Sequence, residues 1–443
     1  IIFVGANDGF LHCFEDNEGE TYNDLSDDSV TEEWCFIPWE QISRLHLLRS
    51  SSAHEYYIDG TPVLYRVNND LYLTFGLRRG GVGYYTLIIG SYDGNNVYVQ
   101  NGYKTPRWGW EISQDILAPD CLLGQSWCTP RARMIKTGSG AAPVLILAGG
   151  YDAGNQDLNS PAATDAYGKA IYAVNASDGT LNQTLKFTPV NMTSLTHSIV
   201  DLISYDSNND GCDDKIYAGD MGGNVFAFKA DLDNGNWSGR KLFQAPEGLY
   251  KFFYAPDVVR EGYQYMVAGE NVYSIYDLVY IGTGDRAHPN ETSTQNRFYC
   301  IKNRDDSTVL TESSSGFIDV TFYSDAYNTS DKLNFLKSSA CDGWYIRIGY
   351  EQGSQVRPGE KVVSSPLVYG GMVFFTTFVP VVTSSEEDMC GMTGVGEGRL
   401  YALNYLTGEA IKELNFYKGN DTLEGGMLRV VVDERDRSMS LGS

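Results

Sequence analysis

The sequence predicts an all-β protein, most simply a β-propeller of about seven blades, give or take one, with loop insertions. Its 443 residues include 31 Tyr and 47 Gly. Aromatic side chains favour the half-buried surface of a strand, and glycine supplies turns that need a positive φ. A hairpin pattern recurs along the chain, whereas helical periodicity is confined to short stretches such as Trp39 to Arg49. We therefore expect many short strands, with helices only as additions to them.

The recurring unit is a strand, a turn rich in Gly, Asp or Asn, and a returning strand with alternating apolar residues. Its copies lie at residues 2–20, 169–180, 215–228 and 399–409. One hairpin cannot bury its own apolar faces, but sheets stacked around an axis can, and a spacing of about 40 to 70 residues fits one blade per sheet. A two-sheet sandwich stays open as an alternative because it also uses regular hairpins.

The chain reads as one propeller domain over residues 1–443. It begins at Ile1 inside a predicted strand, without an initiator Met or a signal segment, and so we expect a fragment of a longer chain. Apolar runs such as Ala142 to Ala148 are far shorter than the roughly 20 residues of a membrane helix. No transmembrane segment is predicted.

The net charge argues against nucleic acid as a partner. At −24, the field of the protein repels phosphate backbones and anionic membrane surfaces. The same excess attracts divalent cations, although a solubilising surface is the simpler explanation of the charge by itself.

The cysteines favour export over metal or redox chemistry. Eight are present and no two have the two-residue spacing of a zinc knuckle or a thioredoxin-like site. An even number without metal spacing is typical of an exported protein with some disulfides. Proximity in the sequence suggests pairs between Cys13 and Cys35 and between Cys121 and Cys128.

The strongest chemical signal is a loop rich in Asp and Asn at residues 206–214, here named the Asx loop. Oxygen-bearing side chains occupy positions 1, 3 and 5, and Gly211 at position 6 permits the sharp turn that brings such side chains to one point. The main-chain carbonyl of position 7 and a carboxylate at position 9 complete an oxygen-only set that suits Ca²⁺ better than Zn²⁺, Cu²⁺ or Mg²⁺. The candidate ligands are Asp206, Asn208, Asp210, the carbonyl of Cys212, and Asp214.

The Asx loop is not an EF-hand, because position 12 is Tyr217 in a predicted strand and not a bidentate Glu. Its four Asp repel one another strongly unless a cation lies among them. The alternative is a solvated hairpin turn, since Asn, Asp and Gly are also ordinary turn residues. A less regular group at residues 151–157, here named segment 151–157, is a second and weaker candidate for a cation.

No catalytic pattern is present. The five histidines are dispersed, and neither a nucleophile elbow, a Walker loop nor a dinucleotide fingerprint occurs. The Gly-rich stretch at residues 76–83 reads as a turn between strands. We therefore expect a protein that binds and does not catalyse.

With these features assembled, the chain resembles the C-terminal propeller of the PilC/PilY family of type IV pilus biogenesis factors and tip adhesins. The similarity covers nearly the whole chain, and the Asx loop continuing into Ile216-Tyr217-Ala218-Gly219-Asp220 is its most telling part. The other matching stretches are residues 4–12, 58–62, 80–85, 343–345, 359–362 and 374–378.

The resemblance implies a modified propeller that holds one calcium ion through the five ligands named above. It also implies an exported protein at the pilus tip or bacterial outer surface, with minor pilins and the tip complex as partners and an abiotic or host surface as the target. In the family, calcium occupancy is linked to opposing pilus retraction, and so to surface attachment and twitching motility. Cys341 and Cys390 look like a family disulfide.

The sequence also departs from the family. We expect the N-terminal adhesive region of the family to lie outside these 443 residues, and the Arg-Gly-Asp tripeptide that some members carry does not occur in them. Two other functions stay open. A quinoprotein-type dehydrogenase is also a calcium-containing propeller, but this chain lacks a vicinal Cys-Cys pair and regular Trp docking motifs. A purely structural surface scaffold would differ from the adhesin only in lacking regulation by calcium.

Overall fold

The computed structural model describes most of the chain. The described residues are 1–17, 29–50, 54–92, 106–138, 140–246, 250–267, 270–321, 338, 340–351, 354–380, 396–410, 429–433 and 438–442. Within them the all-β expectation is confirmed, since 29 strands accompany three helical turns of four residues each and one 3₁₀ turn. The chain divides into two compact units, residues 1–216 with 228–239 and residues 217–227 with 240–443.

Residues 2–187 form three antiparallel sheets. The first has the order β1-β2-β3 and consists of β1 (Ile2–Gly5), β2 (Leu11–Asn17) and β3 (Ser29–Phe36). The second has the order β4-β5-β6-β7 and consists of β4 (Val63–Val67), β5 (Asp70–Gly76), β6 (Tyr84–Ser91) and β7 (Arg107–Ile112). The third has the order β11-β10-β9-β8 and consists of β8 (Arg131–Thr137), β9 (Gly140–Ala148), β10 (Ile171–Asn175) and β11 (Leu181–Phe187).

Three larger sheets and one short hairpin follow. One sheet has the order β12-β13-β14-β15-β19, with β12 (Ile199–Tyr205), β13 (Lys215–Asp220), β14 (Asn224–Ala230), β15 (Trp237–Gln244) and β19 (Leu310–Thr311). The next has the order β16-β17-β18-β21-β20, with β16 (Asp257–Val267), β17 (Glu270–Gly282), β18 (Arg297–Asn303), β20 (Phe317–Asp319) and β21 (Gly343–Arg347). The hairpin pairs β22 (Tyr350–Glu351) with β23 (Ser354–Gln355). The last has the order β24-β26-β27-β29-β28, with β24 (Lys361–Val362), β25 (Leu367–Tyr369) beside β26, β26 (Met372–Val379), β27 (Glu397–Asn404), β28 (Arg429–Asp433) and β29 (Ser438–Gly442).

The described residues thus contain six sheets of three or more strands, within the predicted six to eight. The predicted hairpins are present: Ile2 pairs with Phe14 across β1 and β2, and Ile171 with Phe187 across β10 and β11. β13 and β14 are neighbours in their sheet. The predicted turn at residues 76–83 holds the 3₁₀ turn Arg78–Gly80.

Each unit has its own apolar core, as buried strands require. In the first unit, Leu11, Ile58 and Phe75 belong to one fully buried cluster. In the second, the rings of Phe298 and Phe375 stack with their centroids 3.9 Å apart. Aromatic residues therefore supply much of the buried area, as the composition predicted.

The stretch from Trp39 to Arg49 departs from the predicted helix. It forms two separate turns, α1 (Trp39–Ile42) and α2 (Leu47–Ser50). Between them the main-chain amides donate to carbonyl oxygens three residues earlier, as from Leu45 to Ile42 and from Leu47 to Arg44. These bonds are turns of the 3₁₀ type, so the α-helical pattern is interrupted. The third helical turn is α3 (Ala153–Gln156).

The disulfide predicted between Cys13 and Cys35 is wrong, because both are free thiols. Cys13 lies opposite Trp34 in the pairing of β2 with β3, and Cys35 lies opposite His12. Side chains alternate between faces along a strand, so the two thiols point to opposite faces of the sheet. In agreement, Cys13 is buried and Cys35 is exposed.

The pair Cys121 and Cys128 is also wrong, since both are buried free thiols. The Cys121 thiol contacts the carbonyl oxygen of Leu122, and the Cys128 thiol contacts that of Thr129. Burial raises the pKa of both thiols, which makes them poor nucleophiles. Cys341 is free as well, and Cys390 lies outside the described residues.

In the part of the chain that the structure describes, no helix has the length and apolar character needed to cross a bilayer. The longest α-helices there have four residues.

Candidate metal centre

The Asx loop links β12 to β13 and is anchored at its C-terminal end. The amide of Asp214 donates to the carbonyl of Tyr205 at 3.1 Å, and the amide of Ala230 donates to the carbonyl of Asp214 at 2.8 Å. Exposure falls along the loop, since Asn208 to Gly211 are exposed and Cys212 to Asp214 are buried. The loop is therefore an exposed curl on a rigid base.

Two residues with positive φ produce the curl, Asn209 at 60° and Gly211 at 89°. Asp206 lies at its centre. One carboxylate oxygen of Asp206 accepts from the amides of Asn208 and Asp210 at 3.2 and 3.3 Å, and the other accepts from the amide of Gly211 at 2.7 Å. The turn predicted at position 6 is present for the predicted reason.

Asn208 and Asp210 bond directly to each other. The side-chain amide of Asn208 donates to Asp210 Oδ2 at 2.9 Å, and its carbonyl oxygen accepts from the amide of Asp210 at 3.1 Å. The amide of Cys212 donates to Asp210 Oδ1 at 3.0 Å. The structure therefore brings together the predicted ligands at positions 1, 3 and 5.

Asp214 has different hydrogen-bond partners. Its two carboxylate oxygens accept from the amide and the hydroxyl of Ser207, both at 2.8 Å. Its carboxylate thus closes the base of the loop through Ser207. Cys212, whose carbonyl is the fifth candidate ligand, is buried, and burial raises the pKa of its thiol.

Two cations from β8 neutralise part of the loop. Lys136 Nζ lies 2.6 Å from Asp210 Oδ2, and Arg133 Nε lies 3.0 Å from Asp213 Oδ2. The hydrogen bond from Lys136, assisted by Asn208, lowers the pKa of Asp210, and Asp210 in turn raises the pKa of Lys136. Burial raises the pKa of Asp213, although the nearby Ser204 and Arg133 act to lower it.

Sequence reasoning missed these two basic residues. They precede the loop by about 70 positions, and no spacing rule connects a strand of one sheet to a loop of the next. The only available signal was a basic, alternating strand, Arg131-Ala132-Arg133-Met134-Ile135-Lys136.

The donors of the Asx loop fit a calcium ion in their chemistry. Carboxylate, amide and main-chain oxygens are the ligands that Ca²⁺ prefers. Among the described residues, no group of three or more His, Cys, Asp or Glu side chains could hold a metal ion by itself. The site would therefore depend on the side-chain oxygen of Asn208 and the carbonyl of Cys212 in addition to the carboxylates.

Segment 151–157 is arranged differently. Asp152 is 2% exposed, and one of its oxygens accepts from the amides of Ala166 and Tyr167. Asn155 and Gln156 donate to Asp165, which is also 2% exposed and accepts a further bond from the amide of Ser198. These buried carboxylates accept from main-chain amides at positions 166, 167 and 198, so their hydrogen bonds join the segment to those parts of the chain.

Each of the five histidines has its own polar partners. His12 lies between Asp8 and Glu32, at 3.0 and 2.7 Å, and His288 lies 2.9 Å from Asp285. His46 contacts the carbonyl of Ser43, and the other two, His54 and His197, contact Asn7 and Thr196.

The matching family model and the similar curated proteins carry the same family name. Residues 1–250 match the family model described as the PilY1 beta-propeller domain. A type IV pilus biogenesis factor PilY1 homolog of Xylella fastidiosa is 26% identical over 430 residues, which is 92% of this chain and 26% of that protein. The type IV pilus biogenesis factor PilY1 of Pseudomonas aeruginosa is 28% identical over 235 residues, which is 51% of this chain and 17% of that protein.

The fold has a solved counterpart. The crystal structure of the C-terminal domain of Pseudomonas aeruginosa PilY1 superimposes with a TM-score of 0.64 and 19% identity, over 99% of this chain and 85% of that one. With the matching family model, this likeness confirms the β-propeller fold class. The chain spans only about a quarter or less of the length of these curated relatives.

Proposed function

Because the chain belongs to the PilY1 β-propeller family, we propose that it is the propeller of a type IV pilus biogenesis factor and tip adhesin that binds one calcium ion in its Asx loop. The ligands are Asp206, Asn208, Asp210, the carbonyl of Cys212, and Asp214. The observation that carries the proposal is the curl with two positive φ residues, on which the side chains of Asn208 and Asp210 bond to each other and Asp206 accepts from the main-chain amide of Asp210.

The physical role of calcium follows from the loop's charge. Four Asp carboxylates lie within nine residues, and two cations from β8 pair with them. A divalent ion neutralises the remaining excess and joins the exposed curl to its base. A ligand that binds only the folded state, at about 100 times its Kd, adds about 2.7 kcal/mol to stability. Calcium therefore stiffens the hairpin of β12 and β13.

In the whole protein, calcium occupancy supports pilus assembly by opposing retraction, and so promotes surface attachment and twitching motility. This role requires export through the periplasm to the pilus tip or outer surface, contact with minor pilins and the tip complex, and an abiotic or host surface as the target. A loop stiffened by an ion suits a protein that carries mechanical load, because local opening then requires loss of the ion.

The proposed role is binding and not catalysis. The Xylella fastidiosa and Pseudomonas aeruginosa relatives are named as pilus biogenesis factors. If the protein were a quinoprotein, adding a quinone cofactor to the purified chain would produce the absorbance of a bound quinone. We expect no such spectrum.

The direct test is Asp210→Ala. The change removes a carboxylate from the centre of the cluster, so calorimetry should show loss of calcium binding, and the calcium-dependent rise in Tm should disappear while the circular dichroism of the propeller is kept. In a bacterium that makes the full-length protein, surface piliation or twitching should fall.

Asp178→Asn is the matched control. Asp178 is also exposed and lies in a hairpin turn, where it accepts from the amide and hydroxyl of Thr180. We expect unchanged calcium affinity and motility. Calcium binding of wild-type strength in Asp210→Ala would contradict the assigned site, and unaltered piliation despite lost binding would leave the scaffold role as the function.

A further inference from the structure

We propose that Lys136 is a tethered competitor for the calcium site, a side-chain cation that sits on a calcium ligand and is displaced when the ion binds. This inference rests on the proposed function and adds a residue that sets the affinity of the site. It follows from the position of one ammonium group of β8, which lies beside Asp210 of the Asx loop.

The contact is direct and close. Lys136 Nζ lies 2.6 Å from Asp210 Oδ2, and the side chain of Lys136 is about one-third exposed, at 34%. A carboxylate oxygen that coordinates a metal ion is turned toward that ion, and an ammonium at hydrogen-bond distance competes for the same lone pairs. Lys136 and calcium therefore use the same oxygen-bearing group.

Lys136 has a second hydrogen-bond acceptor besides Asp210. Its Nζ also lies 3.4 Å from the carbonyl oxygen of Leu232, in the turn between β14 and β15. That turn passes close to the end of β8, since a Cβ at Gly235 would lie 2.7 Å from the carbonyl oxygen of Lys136. An acceptor is thus close at hand for the ammonium when calcium takes the carboxylate.

The contact with Lys136 accounts for how the acidic Asx loop keeps its conformation in the absence of calcium. Lys136 and the amide donors around Asp206 and Asp210 satisfy the carboxylates that would otherwise repel one another. Calcium binding then exchanges one cation for another, with little folding of the loop. A site of this kind binds calcium more weakly than the same ligands without the lysine, and so it fills at a higher calcium concentration.

The test compares Lys136→Met with wild type by calorimetric titration of Ca²⁺ into the purified chain. Removing one positive charge next to a ligand at the surface should tighten binding by about three- to tenfold at low salt, and less at high salt because screening weakens the repulsion. Arg133→Met is the matched control, since it removes an equal charge from Asp213, which is not a ligand. Its effect should be clearly smaller.

A measurement on the unmutated side chain provides a second readout. After reductive ¹³C-methylation of lysines, the NMR signal absent from Lys136→Met identifies Lys136, and this signal should shift in the wild type as calcium is added. No shift, or equal affinity in Lys136→Met and wild type, would overturn the competitor while leaving calcium binding intact. Equal tightening in both variants would also overturn it, because general charge would then be the cause.

The results also distinguish a failure of the competitor proposal from a failure of the proposed calcium-binding function. Binding in Lys136→Met but not in wild type would support the competitor in its strongest form. Absence of binding in both proteins would overturn the calcium function and the competitor together.

Discussion

Two polar segments of the first unit differ in how their side chains are placed. The Asx loop and segment 151–157 are both rich in Asp, Asn and Gly. In the Asx loop the side chains cluster with one another on an exposed curl. In segment 151–157, Asp152 is buried and accepts from main-chain amides. Asn155 and Gln156 donate to the carboxylate of Asp165, which lies outside the segment.

The difference shows that access to water, and not residue type, decides what such a segment can do. A buried carboxylate must have all its hydrogen bonds made within the protein, and so it acts as a fixed acceptor. An exposed cluster can exchange donors with water, with a lysine or with a metal ion. The following predictions test this distinction.

The largest expected effect is that of Asp165→Ala. It would leave the side-chain amides of Asn155 and Gln156 and the amide of Ser198 buried without their acceptor, and we expect a loss of about 3 kcal/mol of unfolding free energy or more. Urea unfolding in chelator measures it. Asp206→Ala is the control, because its amide donors are partly exposed and water can replace the carboxylate, at a cost of about 1 kcal/mol. Equal losses would contradict the distinction.

A smaller effect is expected from glycine substitutions. Gly211→Ala should cost about 1 kcal/mol, because φ is 89° and a side chain there is strained, although no atom lies within 4 Å of the added Cβ. Gly154→Ala in α3 should be neutral or slightly stabilising, since Cβ would make only an ordinary contact with Asp152 at 3.5 Å. Thermal melts of the two variants make the comparison, and it fails if Gly154→Ala destabilises as much as Gly211→Ala.

The smallest effect concerns acid. Lys136 and Asn208 hold the pKa of Asp210 below its ordinary value of 3.8. A carboxyl with a lowered folded pKa contributes stability above its ordinary pKa and loses it as the pH falls through the folded value. Without calcium, wild type should therefore lose slightly more stability than Asp210→Asn below about pH 4. Unfolding midpoints measured across the acid range give the difference, and parallel curves would show that the pair contributes nothing.

Local patterns predicted the hairpins and the turn of the Asx loop well. β1 with β2 and β10 with β11 fall where the recurring pattern lies, and Gly211 has the positive φ that its place in the loop required. Alternation and turn chemistry depend on residues only a few positions apart, so the sequence displays them directly.

Cysteine pairing could not be read in the same way. The distance from Cys13 to Cys35 in the sequence suited a disulfide, but the register of β2 against β3 places their side chains on opposite faces. A shift of one residue in register reverses the face of every side chain, and no short pattern specifies it. For the same reason, the sequence of the loop alone could not predict that Arg133 and Lys136 lie beside it.

The sequence by itself determined the all-β class, the positions of the main hairpins and the oxygen-rich chemistry of the Asx loop, because each depends on neighbouring residues. Only the tertiary structure decided which carboxylates are buried and which are exposed, where the thiols point, and which distant cation lies on Asp210. Those features arise where strands far apart in the chain pack together, and burial, register and charge contacts exist only once they do.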